Sequence, residues 1–183
     1  RQMCIRDRFL DANIKSVTIR KKADGFYASL AVDVSETPQP VKTGKGVGVD
    51  LGVSALATLS TGEVIANPKA LARQERKLRR AARSVSRKKK GSANREKAKA
   101  TLSRVYQKVT NLRTDTRHKA TTDIVSRFDL VAIEDLNVSG MVSNRKLAKS
   151  VSDAGFYEFR RCIEYKAKRY GKTVAVVDRW YPV

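Results

Sequence analysis

Two carboxylates that lie far apart in the chain, Asp50 and Glu134, each end a short apolar segment that is typical of a buried strand. If the two strands are parallel neighbours, their ends lie about 4.8 Å apart, and both side chains can reach one cation. Ligands of open α/β sheets tend to bind beyond such strand ends. Two carboxylates together with phosphate oxygens suit Mg²⁺, which keeps several of its waters. The spacing alone leaves a second interpretation open, in which both acids cap helices or form turns.

The chain carries 39 Lys and Arg residues against 18 Asp and Glu residues, which gives a formal net charge of +21. A charge of this size indicates nucleic acid as the partner, with an acidic membrane surface as the weaker alternative. The excess is concentrated between Lys69 and Lys119 and is one-sided, whereas a merely solvated surface usually mixes both signs. Tyr106 is the only Phe, Trp or Tyr there, so we expect contacts to backbone phosphates rather than base stacking. The residues predicted to bind nucleic acid are Arg73, Arg76, Lys77, Arg80, Arg83, Arg87, Lys88, Lys89, Lys90, Arg95 and Lys99.

The cysteines and the lengths of the apolar segments indicate the cellular compartment. Cys4 and Cys162 are too isolated for a disulfide framework or a zinc site, so we predict no zinc ligands in this chain. No segment approaches the roughly 18 apolar residues of a membrane span, and no secretory signal is visible. We therefore predict a cytoplasmic protein without a membrane partner. The chain begins at Arg1 without Met and ends soon after Trp180, which we interpret as a fragment whose first residues could be foreign. Its oligomeric state is not indicated.

The first strands are predicted as a hairpin. Ile14 to Arg20 and Phe26 to Val34 show strand patterns, and Asp24-Gly25 between them is a turn signal. The prolines and glycines that follow indicate a domain boundary near Lys42. Three strands separated by turn-sized segments then predict an antiparallel meander. They are Val47 to Leu51, Ala55 to Leu59, and Val64 to Ala66.

The remaining chain alternates helices and strands. Two basic helices are predicted, from Pro68 to Lys88 and from Asn94 to Phe128, with Leu102, Val105, Val109 and Leu112 on one side of the second. A strand over 129–134, a polar loop over 138–149, a helix capped by Ser150 or Ser152 and ended by Gly171, and a strand over 173–177 follow. With right-handed crossovers, the first, fourth and fifth strands after the boundary are parallel. The fold class is therefore α/β with a mixed sheet.

Four segments give the sequence a specific resemblance. They are Gly48 to Gly52 (GVDLG), Ile133 to Val138 (IEDLNV), Asn144 to Ala148 (NRKLA) and Val177 to Pro182 (VDRWYP). In this order they resemble the TnpB/OrfB family of bacterial insertion sequences. Those proteins are compact RNA-guided DNA endonucleases related to the type V CRISPR effectors. The resemblance extends from about Lys15 to Val183.

The resemblance implies a fold and a set of site residues. Residues 43–183 would form an incomplete RuvC-like nuclease domain of the RNase H-like fold with a basic helical insertion. Residues 1–42 would end an upstream β-barrel-like domain that binds the guide. Asp50 and Glu134 match the first two catalytic acids, which bind Mg²⁺ in a two-metal site. The third aspartate and a Zn²⁺ ribbon with two CxxC pairs would follow Pro182, beyond this chain. Guide RNA and target DNA are the implied partners.

Three functions are compared. The leading hypothesis is a fragment of an RNA-guided, Mg²⁺-dependent DNA endonuclease of the transposase type. The alternative is a catalytically inactive remnant that still binds RNA or DNA through Arg73 to Lys119. A phosphotransferase of the actin and sugar-kinase kind is the third, because its first strand turn resembles Asp50 to Gly52. It is disfavoured because no glycine-rich phosphate-binding turn follows Glu134 and because the charge does not suit a small metabolite.

Three other residues are weaker candidates for the functional site. Asp135 follows Glu134 and should point to the opposite side of an extended strand. Asp178 ends the last strand and could substitute for a third acid, although the matching family position is a structural strand end. His118 is predicted to be a solvated helical residue rather than a proton shuttle.

Overall fold

The computed structural model describes residues 13–33 and 42–180. The chain divides into two compact units, Arg1–Pro38 and Gln39–Val183. In the first unit, β1 (Ile14–Lys22) pairs antiparallel with β2 (Gly25–Val32), and the Tyr27 hydroxyl donates to Asp24 at 2.8 Å beside the turn. The strands thus lie where the Asp24-Gly25 signal predicts them, while Val34 lies outside the described residues. That this pair ends an upstream barrel-like domain stays a prediction.

The second unit is built on a five-stranded mixed sheet. Its order is β5-β4-β3-β6-β7, with β4 antiparallel to both of its neighbours and with β3, β6 and β7 parallel. The predicted meander and the predicted parallel set are both confirmed. The strands are β3 (Gly46–Leu51), β4 (Ala55–Leu59), β5 (Val64–Ala66), β6 (Leu130–Glu134) and β7 (Thr173–Val177).

Five helices are described in this unit. They are α1 (Ala70–Ser86), α2 (Ala93–Arg127), α3 (Val138–Ser143), α4 (Ala148–Ala154) and α5 (Phe156–Arg169). The predicted break between the two basic helices is confirmed, since Gly91 has a φ of 81° and the Ser92 Oγ caps α2 by accepting the Arg95 N–H at 3.2 Å. None of these described helices is long and apolar enough to cross a membrane.

The prediction of a polar loop over 138–149 is wrong in part. Asn137 begins α3, because its side-chain oxygen accepts the Gly140 N–H at 3.0 Å. The helix predicted to be capped by Ser150 or Ser152 is α5, but both serines lie inside α4, and Gly155 holds the N-cap position of α5. Gly155, with a φ of 69°, ends α4 and separates it from α5. The sequence pattern missed these two short helices because six or seven residues are too few to show a clear apolar period.

The end of α5 follows the prediction. Gly171 has a φ of 60°, and the Lys172 N–H donates to the Ala167 carbonyl at 2.9 Å. This is the Schellman arrangement, in which a left-handed glycine lets the chain leave the helix while the last carbonyls keep partners. The chain then enters β7 directly after this turn.

The two faces of the sheet have different surroundings. Alternate residues of β3 and β6 point to one face, where Val49 and Ile133 are buried in a core with Ile124 of α2 and with Phe159 and Ile163 of α5. The other face carries Gly48, Asp50, Ala132 and Glu134 of the same strands, which line a cavity. Because α2 and α5 both pack on the core face, the opposite face, which carries Asp50 and Glu134, is left accessible in the described part of the chain.

At the amino ends of the parallel strands, Asp129 connects three segments. Its carboxylate accepts the ammonium of Lys172 and the N–H of Gly44, and its backbone joins Lys45 and Thr173. These contacts, with the Lys172 ion pair the largest cause, hold the pKa of Asp129 below its ordinary value. This end of the sheet is therefore fixed by satisfied polar groups.

Candidate metal and nucleic-acid site

Asp50 and Glu134 lie side by side on the accessible sheet face. Val49 pairs with Ile133 in the parallel register of β3 and β6, so each acid is the next residue along its strand. Both line a cavity of about 660 Å³, together with Thr58 of β4 and with Ser60, which directly follows that strand. Gly48 and Ala132 also line the cavity, and their small size leaves space on the sheet face beside the two acids. The structure thus brings together the two acids that the sequence analysis singles out.

Neither of these carboxylates has an ion pair or a side-chain hydrogen bond with the described residues. Apart from Asp178, every other Asp and Glu within residues 42–180 forms an ion pair with Lys or Arg. In a chain with a net charge of +21, acids without an ion pair are an exception, and Asp50, Glu134 and Asp178 all line one cavity. Neighbouring carboxylates repel each other unless a cation lies between them. The donor set, two oxygens from rigid strand ends with open space above them, fits Mg²⁺.

Asp178 also lines this cavity, and its Oδ1 accepts the Trp180 N–H at 2.8 Å. Among the described residues, however, no group of three or more His, Cys, Asp and Glu side chains is arranged to hold a metal. The described part of the chain therefore contributes two carboxylates to this candidate centre. The predicted role of Asp178 as a strand-end residue agrees with its backbone hydrogen bond.

Asp135 follows Glu134 but contacts a different element. It accepts Arg160 of α5 at 2.6 Å and Arg179 at 3.1 Å. The Arg160 hydrogen bond, followed by that of Arg179, keeps the pKa of Asp135 below its ordinary value. Since α5 packs on the core face, the predicted opposite orientation of Glu134 and Asp135 agrees with these contacts.

A cationic groove of about 960 Å³ runs along α1. Its lining includes Arg76, Arg80, Arg83 and Arg87, which recur every three or four residues and therefore share one side of the helix. Lys88, also predicted, extends the groove beyond the helix end. The sequence analysis missed Arg79, which lines the same groove while pairing with Glu75 at 2.5 Å. Its spacing from Arg76 and Arg83 was the signal that could have found it.

The other predicted nucleic-acid residues are arranged differently. Arg95 is half-buried and donates to the Lys88 carbonyl at 3.0 Å, which gives it a structural contact in the turn. Lys99 pairs with Glu96 at 2.7 Å on the exposed side of α2. The remaining ones are exposed but do not line the groove: Arg73, Lys77, Lys89 and Lys90.

The groove is attached to the sheet domain through Asp153, which the sequence analysis did not single out. This residue of α4 is 8% exposed and forms a close ion pair with Arg113 of α2, with the shortest N–O distance 2.6 Å. Both of its oxygens also accept the Leu71 N–H at 3.0 Å, which places a carboxylate at the positive end of α1. A second contact, Lys149 to Glu75 at 2.6 Å, joins α4 to α1. One buried carboxylate thus joins α1, α2 and α4.

Two residues from the sequence analysis lie away from both sites. Cys162 is buried in α5 and behaves as a small core residue, as predicted. His118 is exposed on α2, 3.4 Å from the Tyr165 hydroxyl, and burial followed by the nearby Lys166 lowers its pKa. Neither belongs to the described lining of the acidic cavity or of the groove.

The fold and both sites can be compared with known proteins. Residues 29–145 match the profile of the OrfB_IS605 family, described as probable transposase. A Streptomyces pristinaespiralis protein named RNA-guided DNA endonuclease is 45% identical over 168 residues, covering 91% of this chain and 42% of that protein. The Escherichia coli K12 protein named RNA-guided DNA endonuclease InsQ is 34% identical over 184 residues, covering 92% of this chain and 46% of that protein. The chain thus spans less than half the length of these curated relatives.

Among solved structures, the cryo-EM structure of a Cas12f1–sgRNA–target DNA complex has a TM-score of 0.57 at 18% identity. The match covers 92% of this chain and 36% of that one. This likeness defines the class as an α/β protein with a Cas12f-like fold. Because the family profile covers more than half of its residues, the chain belongs to the OrfB_IS605 family. The resemblance to TnpB/OrfB proteins is thereby confirmed.

Proposed function

We propose that this chain supplies part of the nuclease centre of an RNA-guided, Mg²⁺-dependent DNA endonuclease, with Asp50 and Glu134 as the metal-binding catalytic acids. The observation that carries the proposal is the pair of unpaired carboxylates lining one cavity in a strongly basic chain. Supporting it are the names of the relatives from Streptomyces and Escherichia coli. The unpaired acids also favour an enzyme over a remnant that only binds nucleic acid, since binding alone does not require them.

The chain's own residues have a simple role in this chemistry. Asp50 and Glu134 would hold Mg²⁺ on the accessible sheet face, and the bound metal would supply activation of water and charge stabilisation at the phosphodiester. Strand pairing fixes the two carboxylates before the substrate binds, because Asp50 pairs with Thr58 of β4 and Glu134 pairs with Val177 of β7. Thr58 and Ser60 add hydroxyl groups to the cavity wall. The core face behind the strands is closed by α2 and α5.

The groove on α1 is proposed to hold nucleic-acid backbone. Its guanidinium groups suit bidentate phosphate contacts, which fix the position of a strand without reading its sequence. Sequence choice then falls to base pairing between a guide RNA and the DNA target, as in guided nucleases. Binding through these residues should weaken steeply with salt, because each neutralised phosphate releases counterions.

Three further points belong to the same proposal. The sheet order, with a single antiparallel strand between β5 and β3, supports an RNase H-like, RuvC-like domain. The β1–β2 pair is proposed as the end of an upstream guide-binding β domain. We place the protein in the cytoplasm of a bacterium or archaeon.

The test is cleavage of guide-matched DNA by the guide-loaded protein in Mg²⁺. We expect Asp50→Ala and Glu134→Ala each to lower the single-turnover rate by about a hundredfold or more, since loss of a metal ligand should exceed the effect of losing an outer partner. Glu158→Ala is the matched control, because Glu158 makes an exposed ion pair with Arg161 on α5. If both cavity variants cut at the parental rate, the assignment is wrong.

A further inference from the structure

Arg179 is a cation within the lining of the acidic cavity. Glu134 pairs with Val177 in the parallel register of β6 and β7, and the Asp135 N–H extends the pairing by donating to the Val177 carbonyl at 2.9 Å. The segment after β7 therefore leaves the sheet beside the segment after β6. This places Arg179 at the rim of the cavity that holds Asp50 and Glu134.

The guanidinium of Arg179 is paired with neither of those two acids. Its Nη2 donates to Asp135 Oδ2 at 3.1 Å, while Arg160 Nη1 donates to the other oxygen of Asp135 at 2.6 Å. Arg160 in turn donates to Glu164 at 2.8 Å, so α5 fixes the position of Asp135. A carboxylate on the core side thus holds Arg179 while Asp50 and Glu134 stay unpaired.

The charges of the cavity indicate what Arg179 contacts. The lining carries three carboxylates, Asp50, Glu134 and Asp178, and one cation, Arg179. One Mg²⁺ would offset two of the negative charges, and a phosphodiester brought to the metal adds a negative charge that the guanidinium at the rim would attract. A guanidinium has five N–H donors, and the bond to Asp135 leaves donors for such an anion. Arg is also the side chain whose fork best matches phosphate oxygens.

We propose that Arg179, positioned by Asp135, binds the phosphate group of the DNA strand that lies over the Asp50–Glu134 pair. The proposal rests on the proposed nuclease function, since it takes the cavity to be a metal and phosphodiester site. Arg179 is the residue that touches the substrate. Asp135 acts through Arg179 and is a positioning residue.

The competing explanation is that Arg179 only joins the ends of β6 and β7. Loss of a purely structural ion pair would lower stability, but it would not change how strongly a phosphodiester affects metal binding in the cavity. The two explanations therefore differ in how Arg179 affects metal binding with and without a phosphodiester. The probes are Mn²⁺ as a spectroscopic substitute for Mg²⁺, and the dinucleotide dTpdT, which carries a single phosphodiester.

The experiment measures Mn²⁺ affinity of the chain by the free-Mn²⁺ paramagnetic resonance signal, without and with dTpdT. In Arg179→Gln we expect Mn²⁺ alone to bind about threefold more tightly, because a nearby positive charge is gone. In the parental chain dTpdT should tighten Mn²⁺ binding, and in Arg179→Gln this coupling should fall about tenfold with the lost charge-assisted hydrogen bonds. Arg179→Lys should keep part of the coupling. Arg161→Gln, which removes an exposed cation of α5 away from the cavity, is the control and should match the parental chain.

Two results would overturn the proposal in distinguishable ways. If Arg179→Gln leaves both the Mn²⁺ affinity and the coupling unchanged, or lowers the Mn²⁺ affinity alone, Arg179 is a structural residue, while the metal site stands. If Asp50→Asn leaves Mn²⁺ affinity unchanged, the metal site itself is wrong, and the role of Arg179 is overturned with it.

Asp135 is tested in the same titrations. Asp135→Asn should lose part of the dTpdT coupling, because Arg179 is then held by a weaker neutral acceptor, and Asp135→Glu should recover some of it. A merely structural role predicts a change in thermal stability with the coupling intact, which would remove Asp135 from the proposal.

Discussion

Asp50 and Asp153 are the same kind of residue in opposite circumstances. Asp153 is 8% exposed and its carboxylate is surrounded by Arg113 and the Leu71 N–H. Asp50 is exposed, and together with Glu134 it lacks a cationic partner among the described residues. The chain has positive charge in excess, so the absence of a partner at the cavity reflects the placement of the strands. A carboxylate satisfied within the fold stabilises it, whereas one left unsatisfied is available to a ligand.

The largest effect on stability should come from removing the carboxylate of Asp153, whose hydrogen-bonding capacity is satisfied within the fold. Asp153→Ala leaves Arg113 without its partner and the first turn of α1 without its carboxylate. We expect a loss of about 3 kcal/mol in the free energy of unfolding, as for other broken buried pairs. Urea denaturation of the chain checks it. Glu158→Ala removes an exposed pair and should cost less than about 1 kcal/mol. Equal losses in the two variants would show that Asp153 is not an anchor.

The cavity acids should behave in the opposite way. In metal-free buffer, Asp50→Asn and Glu134→Gln should leave the free energy of unfolding within about 0.5 kcal/mol of the parental value, since no intramolecular bond is lost. Adding Mg²⁺ at ten times its dissociation constant should stabilise the parental chain by about 1.4 kcal/mol and should not stabilise the variants. A large loss of stability in metal-free buffer would mean that these acids have a structural role.

A smaller effect is expected at the opposite end of the sheet, where Asp129 is also satisfied. Lys172 lowers its folded-state pKa below the ordinary value of 3.8, so its stabilisation is complete above that pH. It is lost as the pH falls through the lower folded-state pKa. Asp129→Asn should therefore show a flatter decline of the urea midpoint between about pH 4 and pH 2 than the parental chain. Parallel declines would contradict this assignment.

Much of the fold could be predicted because its signals are local. The strands of the sheet follow from apolar runs and turn residues, and the two basic helices from the break at Gly91-Ser92. The convergence of Asp50 and Glu134 required only parallel strands. The short helices α3 and α4 were missed because their Asn137 and Gly155 signals are single residues within a polar stretch.

The residues that could not be predicted depend on contacts between distant segments. Asp153 is important because α4 lies against α1 and α2, and Arg179 because β7 ends beside β6. Neither position shows a local pattern of its own. Arg95 is the converse case, since a basic residue in a basic segment makes a structural contact to the Lys88 carbonyl.

The packing of α2 has a consequence for how the chain opens. This helix of 35 residues, about 52 Å long, enters two separate apolar clusters. Its C-terminal part, including Ile124, belongs to the core under the sheet, while Val109 packs with Leu78 of α1 in a small cluster of its own. Helix α1 and the N-terminal part of α2 can therefore unfold locally while the strands stay intact, and their amide protons should exchange with solvent earlier than those of β3 and β6.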